Sequence, residues 1–156
     1  RNVETLQKQL DDAGVADRVH LIGEIAPPLD PDAGPPQLPA QELVEIYQLA
    51  DVLVHPSYIE GFPRVVVEAM AAGCAVVTTD APGCRDVVED GVNGVLAKAG
   101  DAAAIGRAVA RMLTQPSERR RLAEAGQEHS RQFDWQKVVD QYESLYYRAI
   151  CEGTRR

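Results

Sequence analysis

The sequence of 156 residues has few cysteines and no long apolar run. Cys74, Cys84 and Cys151 are odd in number, form no Cys-x-x-Cys pair and have no clustered histidines beside them. This pattern indicates neither a disulfide framework nor a zinc site, and it fits a reducing, cytoplasmic compartment best. No apolar run reaches the ~18 residues that span a membrane, and the amino terminus does not resemble a signal peptide. We therefore expect no transmembrane segment.

Positive charge is also scarce. Sixteen Lys and Arg residues stand against 24 Asp and Glu residues, which gives a formal net charge of -8. Because nucleic acid and anionic lipid would repel an acidic surface, the charge argues against both as partners and favours a small molecule. The hydrophobic content of 45% is enough for one core, so we expect a single domain over residues 1–156.

Helical and strand patterns alternate along the first two thirds of the chain. Apolar residues at helical spacing predict helices, and the short apolar runs that follow them predict buried strands. The predicted helices are Thr5–Ala13, Glu42–Ala50 and Pro63–Ala72, and the predicted strands are Arg18–Gly23, Val52–His55, Ala75–Thr78 and Val95–Leu96. Between Ala26 and Ala40 lie six of the ten prolines, which predicts an exposed loop.

Three further helices are predicted after the last strand. They cover Asp101–Leu113, with Asp101 as the N-cap, then Ser117 to about Gln132, and finally residues 134–151. We expect all three to pack beside the sheet. The C-terminal helix carries an apolar face made of Val138, Tyr142, Leu145, Tyr146 and Ala149.

Apolar strands that alternate with helices predict an α/β fold, a Rossmann-like parallel sheet with helices on both faces. In such folds, ligands bind at the carboxyl ends of the strands. The loop that follows Val52–His55 is therefore the candidate site. It leads directly into the predicted helix Pro63–Ala72.

Two glutamates, Glu60 and Glu68, lie in this loop and helix. Taken as the single charge of an apolar helix, Glu68 needs a cationic neighbour or a polar ligand such as a sugar diol, because a buried carboxylate is costly without one. Glu60 precedes the helix and would face the far side of the same ligand. Without the flanking sequence, two glutamates at this spacing would favour a solvated loop charge at Glu60 and a surface charge or an ion-pair partner at Glu68, because short motifs match by accident.

The start of the helix predicts an anion site. Pro63 has no N–H, and it leaves the amides of Arg64, Val65 and Val66 at the positive end of the helix dipole, where a diphosphate would bind. Gly61 would let the backbone approach such a ligand closely.

Longer motifs around these residues resemble the C-terminal lobe of family 4 (group 1) glycosyltransferases, which have the GT-B fold of two Rossmann-like lobes. The similar stretches are the glutamate pair around Gly61-Phe62-Pro63, the run Glu68-Ala69-Met70-Ala71-Ala72-Gly73, and Asp90-Gly91-Val92-Asn93-Gly94. Phe133-Asp134-Trp135 is similar to the start of the family's last helix. Together these stretches cover most of the chain.

The resemblance implies a function and a set of site residues. Glu60 would be the catalytic residue and would contact donor-sugar hydroxyls, while Glu68 would hold the ribose diol. The donor-binding segment would comprise Gly61, Phe62, Pro63, Arg64, Val65 and Glu68. Family members transfer a sugar from a nucleotide-diphosphate sugar to an acceptor with retention, and they need no metal and no cofactor besides this donor.

The chain departs from the family pattern at its amino terminus. It starts after the first two strands of the lobe, which carry an arginine and a lysine that clamp the diphosphate, and after the whole acceptor-binding lobe. Either a longer enzyme or a partner chain would supply these parts, and a peripheral position at the membrane would come through the missing lobe. We expect the isolated chain to have no transferase activity.

Two other functions remain open. One is a catalytically inactive module that binds a nucleotide, a sugar or a partner chain, which the missing cations favour. The other is a sugar-nucleotide epimerase with the same fold, although the helix and turn motifs favour the transferases. The loop Ala26–Ala40 would cover the nucleobase, contact a partner or be a surface insertion.

Smaller features complete the sequence-based picture. Asp86 stands where the family commonly has a glutamate, and Arg85 would be either a phosphate ligand or a surface ion-pair partner. We expect His55 and Ser57 to support the loop by hydrogen bonds, because no hydrolase triad accompanies them. Tyr58 would pack over the sugar or against a neighbouring loop.

Overall fold

The computed structural model describes residues 2–22 and 41–153 of the chain. Contacts within the chain divide it into two units, residues 1–40 and residues 41–156. The proline-rich loop predicted for Ala26–Ala40 lies outside the described residues. The expectation of one domain over residues 1–156 stays a prediction.

The first unit contains helix α1 (Asn2–Asp12) and a short 3-10 helix, Ala16–Arg18. The predicted strand Arg18–Gly23 is wrong over its described part. Residues 19–22 form no strand, and Val19, Leu21 and Ile22 are exposed. An apolar run becomes a strand only where another strand accepts its hydrogen bonds, and the described residues of this unit contain no other strand.

The second unit alternates helices and strands as predicted. Its elements are α2 (Gln41–Leu49), β1 (Val52–His55), α3 (Arg64–Ala71), β2 (Ala75–Thr79), α4 (Cys84–Val87), β3 (Val95–Ala97), α5 (Ala102–Thr114), α6 (Pro116–Ser130) and α7 (Trp135–Gly153). A 3-10 turn, Arg131–Phe133, links α6 and α7. The one-turn helix α4 lacks a sequence prediction because its four residues are too few to show a helical period.

The described strands form one parallel sheet in the order β1-β2-β3. Val54 of β1 pairs with Val77 of β2, and Val77 pairs with Val95 of β3. Every residue of β2 is buried, as expected for a central parallel strand with helices on both faces. The parallel arrangement brings the carboxyl ends of β1 and β2 to the same edge.

Two apolar clusters cover the two faces of the sheet. On one face, Val66 and Met70 of α3 and Tyr47 of α2 pack with Val76. On the other face, Met112 of α5 and Leu122 of α6 pack with Val77 and Val95. The predicted α/β fold with helices on both faces is therefore confirmed. At the start of α5, Asp101 is the N-cap as predicted, and its side chain accepts a hydrogen bond from the Ala104 amide at 2.8 Å.

The C-terminal helix differs from its prediction. Helices α5 and α6 pack beside the sheet, but α7 packs mainly against the turn Arg131–Phe133. Its apolar face stays exposed, with Tyr142, Leu145 and Tyr146 all more than half exposed. A helical period shows that one face is apolar, but it does not show what covers that face.

Membrane-spanning helices are not found in the described part of the chain, where every helix is too short or too polar to cross a bilayer.

Candidate active site

Two buried threonines hold the loop that follows β1. The Thr78 hydroxyl donates to the carbonyl oxygen of His55 at 2.9 Å, and the Thr79 hydroxyl donates to the carbonyl oxygen of Ser57. Both threonines lie at the end of β2 and are 1% exposed. The His55 carbonyl also accepts from the Ser57 amide at 3.0 Å, and with these hydrogen bonds the two threonines fix the path of the loop at the sheet edge.

The carboxylate of Glu60 is held by two donors, His55 at the end of β1 and Ser57 in the loop that follows it. Oxygen Oε1 accepts a hydrogen bond from Ser57 Oγ at 2.9 Å and one from His55 Nε2 at 3.0 Å. The hydrogen bond from Ser57 and then the one from His55 hold the pKa of Glu60 below its ordinary value, because both favour the ionised form. The expectation that His55 and Ser57 support the loop by hydrogen bonds is confirmed.

The backbone of Glu60 rests on the turn before α4. Its N–H donates to the carbonyl oxygen of Pro82 at 3.0 Å. Gly83 adopts φ +84°, and a Cβ there would lie 2.8 Å from the carbonyl carbon of Glu60 and closer still to its oxygen. Only glycine allows this approach. Asp86, which stands at the family's glutamate position, accepts a hydrogen bond from the Gly83 amide at 3.1 Å and so braces the turn.

The loop enters α3 through an aromatic contact. The ring of Phe62 meets that of Phe133 edge to face, with centroids 5.4 Å apart. Pro63 is buried and precedes the first helical residue, Arg64. The turn Arg131–Phe133 thus contributes to the position of the loop.

The backbone amides at the start of α3 differ in part from the expectation. Arg64 N–H donates to Phe62 O at 2.9 Å and Val66 N–H donates to Pro63 O at 3.0 Å, so neither is available to an anion. The tight turn at Pro63 consumes them. Within residues 2–22 and 41–153, the amides of Gly61, Phe62 and Val65 make no hydrogen bond. Among the described residues, a Cβ at Gly61 would meet no atom within 4 Å, so that part of the chain leaves open space beside the loop.

Glu68 is not the single charge of its helix, because Arg64 lies one turn before it. The Arg64 guanidinium approaches Glu68 Oε1 at 3.4 Å, and the two side chains are 63% and 18% exposed. Glu68 also faces Tyr47, whose pKa is raised first by burial and then by this carboxylate. The Glu68 carboxylate therefore already has a cationic neighbour, Arg64. Its partial burial by itself does not require a ligand.

The structure shows the surroundings of Tyr58 and Arg85, while their contacts with a ligand stay predictions. The ring of Tyr58 lies against Gly100, where an added Cβ would come within 3.3 Å of a ring carbon, so Tyr58 packs on a neighbouring loop. Arg85 is exposed and forms no ion pair with any residue in the described ranges.

Two cavities of the described chain lie away from Glu60. One of about 210 Å³ is bordered by Asp51, Gly73, Arg119 and Gln127, and another of about 380 Å³ opens at the start of α6. Asp51 immediately precedes β1, so the first cavity is at the amino end of the strands, opposite Glu60. Of the two arginines that line it, Arg119 is already paired with Asp51 at 2.9 Å. We therefore place the candidate site at Glu60, where the oriented carboxylate and the unbonded amides lie.

Metal binding has no support in the described ranges, where no three His, Cys, Asp or Glu side chains group closely enough to hold an ion. Independence from metal stays a prediction.

The sequence did not predict the roles of three residues that hold the loop: Thr78, Thr79 and Gly83. The two threonines end an otherwise apolar central strand, and this polar ending was the signal that could have found them. The role of Gly83 is set by contact with a loop more than twenty positions earlier, so no local pattern reveals it.

Comparison with known proteins shows which family the chain resembles. Residues 35–129 match the model for glycosyl transferases group 1. The chain is similar to the D-inositol 3-phosphate glycosyltransferase of Salinispora tropica, with 34% identity over 143 residues, which cover 92% of the chain and 27% of that protein.

Solved structures agree on the fold. The chain is similar to sucrose-phosphate synthase from Thermosynechococcus elongatus, with TM-score 0.79, 29% identity, and coverage of 96% of the chain and 34% of that protein. It is also similar to Anabaena HepE in complex with UDP-glucose, with TM-score 0.79, 27% identity, and coverage of 93% and 36%. The chain thus spans about a quarter to a third of the length of these proteins. It belongs to the group 1 glycosyltransferase family.

Proposed function

We propose that this chain is the donor-binding part of a family 4 glycosyltransferase, which transfers a sugar from a nucleotide-diphosphate sugar to an acceptor with retention and without a metal. The arrangement that carries the proposal is the Glu60 carboxylate, held at the carboxyl end of β1 beside the unbonded amides of Gly61, Phe62 and Val65. A hydrogen-bond acceptor, the carboxylate, thus lies next to hydrogen-bond donors, the amides. A ligand that carries both hydroxyls and phosphates requires both kinds of group.

In the proposed reaction, the Val65 amide and the Glu60 carboxylate would act through hydrogen bonds and charge alone. When the sugar leaves its diphosphate, negative charge develops on the phosphate oxygens, and the amide of Val65 at the positive end of the α3 dipole would stabilise it. Glu60 would accept hydrogen bonds from sugar hydroxyls and orient the ring. Neither role needs a protein nucleophile.

Glu68 is proposed to hold the ribose diol of the nucleotide. Its side chain is 18% exposed, which leaves one edge open to a ligand, and its partner Arg64 is mostly solvated. Since the Arg64 guanidinium is 3.4 Å away and exposed, the ion pair is weak enough for a diol to compete with it. The complex of Anabaena HepE with UDP-glucose supports the donor class, because that protein shares the fold of this chain.

Ligand binding to the 156-residue chain tests the proposal. We expect UDP-glucose, ADP-glucose or GDP-mannose to give a saturation-transfer NMR signal on ribose and sugar protons, and Glu68→Gln to weaken binding about tenfold, since one hydrogen bond to a charged group is lost. Glu128→Gln is the matched control, because Glu128 is a solvated helix glutamate with its own arginine partner, Arg131. Absence of binding by the wild-type chain to every member of this panel would contradict the donor role.

A further inference from the structure

The two oxygens of the Glu60 carboxylate have different surroundings. Oε1 accepts both hydrogen bonds, from Ser57 and from His55, while Oε2 accepts none from any residue in the described ranges. The Glu60 side chain is 30% exposed, so it is neither buried nor fully solvated. A solvated loop glutamate would leave both oxygens to water. Here one oxygen is committed to the protein and the other is left open.

The ionised state of Glu60 decides where the protons of His55 and Ser57 point. An ionised carboxylate is only an acceptor, so His55 Nε2 must carry the proton of this hydrogen bond. Ser57 has one hydroxyl proton and two acceptors in reach, Ile59 O at 3.1 Å and Glu60 Oε1 at 2.9 Å. While Glu60 is ionised, the hydroxyl donates to Glu60 Oε1, because that acceptor is charged and nearer.

The backbone under these donors is fixed as well. Thr78 holds the carbonyl of His55, Thr79 holds that of Ser57, and Pro82 accepts from the amide of Glu60. With the backbone pinned at all three residues and Oε1 doubly bonded, rotation of the carboxyl group would break two hydrogen bonds at once. The position of Oε2 is therefore set by the protein before any ligand arrives.

We propose that His55 and Ser57 are positioning residues that clamp Oε1 of Glu60 and thereby fix Oε2 as the acceptor for a hydroxyl of the transferred sugar. The inference rests on the proposed donor-binding function. It predicts that the clamp contributes to recognition of the sugar and leaves recognition of the nucleotide diphosphate untouched, because the phosphate-facing amides belong to the segment Gly61–Val65.

Titration of the Glu60 carboxyl by carbon NMR tests the clamp without a ligand. In the wild-type chain we expect a pKa below the ordinary value of 4.5, and in Ser57→Ala and His55→Leu a shift upward toward that value. His55→Gln restores a donor near the position of Nε2 and should return part of the shift. Ser144→Ala and His20→Gln, both exposed and distant in sequence, are the matched controls and should change nothing. A Glu60 pKa that stays the same in Ser57→Ala and His55→Leu would overturn the clamp.

Paired titrations with UDP and UDP-glucose test the orientation of Oε2. We expect Ser57→Ala and His55→Leu to weaken UDP-glucose binding about tenfold and to change UDP binding by less than about twofold, as for one misplaced hydrogen bond to a charged group. His55→Gln should recover part of the loss for UDP-glucose. An equal loss for both ligands would show a merely structural role and overturn the proposal.

The two experiments separate the two claims. If the wild-type chain binds neither UDP nor UDP-glucose nor the other donors, the donor function fails, and the orienting role of the clamp fails with it, while the carboxyl titration still decides whether the clamp exists. If UDP-glucose binds and the clamp variants bind it as well as the wild type does, the donor function stands and the positioning role is overturned.

Discussion

At the scale of single residues, the loop around Glu60 depends on two glycines that differ in what surrounds them. Gly83 has φ +84° and faces the carbonyl group of Glu60, whereas no atom of the described residues would lie within 4 Å of a Cβ at Gly61. Glycine is required at the first position for the fold. At the second, the described residues make no such demand, and the proposed donor would approach the backbone there.

Alanine substitution should separate these two roles. We expect Gly83→Ala to lower the free energy of unfolding by about 1–3 kcal/mol, through the positive φ and the collision with Glu60. Gly61→Ala should leave stability within about 0.5 kcal/mol of wild type, because the new methyl group meets nothing. Urea unfolding of both variants measures the difference. Equal stability losses for the two would contradict this account of Gly83.

Gly61→Ala carries a second expectation. If the empty space beside Gly61 receives the donor, the added methyl group should weaken binding of UDP-glucose in a chain of unchanged stability. Titration of the same preparation used for urea unfolding measures it, and unaltered affinity would show that the ligand does not approach the loop at this point.

At the scale of elements, the turn Arg131–Phe133 supports the candidate loop from outside the sheet. Edge-to-face aromatic pairs contribute about 0.5–1.5 kcal/mol beyond their buried area, so the Phe62–Phe133 contact should appear as a coupling free energy of that size. A double-mutant cycle with Phe62→Leu and Phe133→Leu measures it by urea unfolding. A cycle of Phe62→Leu with Tyr146→Leu is the control and should give no coupling, since Tyr146 lies on the exposed face of α7.

The packing of α2 on α3 has a signature at alkaline pH. Burial and the nearby Glu68 carboxylate raise the pKa of Tyr47 above 10.0 in the folded chain. The folded state then holds the phenol proton more tightly than the unfolded state does. Stability from this group is complete below pH 10 and is lost as the pH rises through the raised value.

Tyr47→Phe should remove this pH dependence. We expect the wild-type chain to lose stability between pH 9.5 and 11 more steeply than Tyr47→Phe, as measured by thermal unfolding across that range. Tyr142→Phe, which changes an exposed tyrosine of α7, should follow the wild-type curve. A Tyr47→Phe curve parallel to that of the wild type would contradict the raised pKa.

At the scale of the whole molecule, what could be predicted from sequence depended on whether the signal was local. The strands β1, β2 and β3 were predictable because their apolar runs and flanking turn residues are adjacent in sequence. The Asp101 cap was predictable for the same reason. The segment Val19–Ile22 has the same apolar character as β1, yet it forms no strand, because pairing depends on a neighbour that composition does not reveal.

In the candidate site, too, the residues with a local signal were predictable and those that depend on distant contacts were not. Glu60 and its neighbours His55 and Ser57 lie within six positions, and their hydrogen bonding was expected. The contribution of Thr78 and Thr79 depends on the parallel pairing of β1 with β2, and that of Gly83 depends on where a turn meets the Glu60 backbone. Of the three free amides expected at the start of α3, that of Val65 stays unbonded within the described residues, because the turn at Pro63 consumes those of Arg64 and Val66.

Among the described residues, helix α7 contributes few of the side chains that bury the sheet and its covering helices. Its apolar side chains are largely exposed, and it packs mainly against the turn Arg131–Phe133, with Lys137 donating to the carbonyl oxygen of Arg131 at 2.9 Å. The residues that bury the sheet on that side of the chain, Met112 and Leu122, belong to α5 and α6.

A chain that ends after Asp134 should therefore melt within about 3 °C of the complete chain, since a change of about 0.5 kcal/mol shifts the midpoint of a domain of this size by about that much. Met112→Ala, which empties a fully buried site under α5, is the comparison and should cost about 2–5 kcal/mol. Differential scanning calorimetry of both variants measures the contrast. A truncated chain that melts as low as Met112→Ala would show that α7 stabilises the fold through contacts beyond the turn.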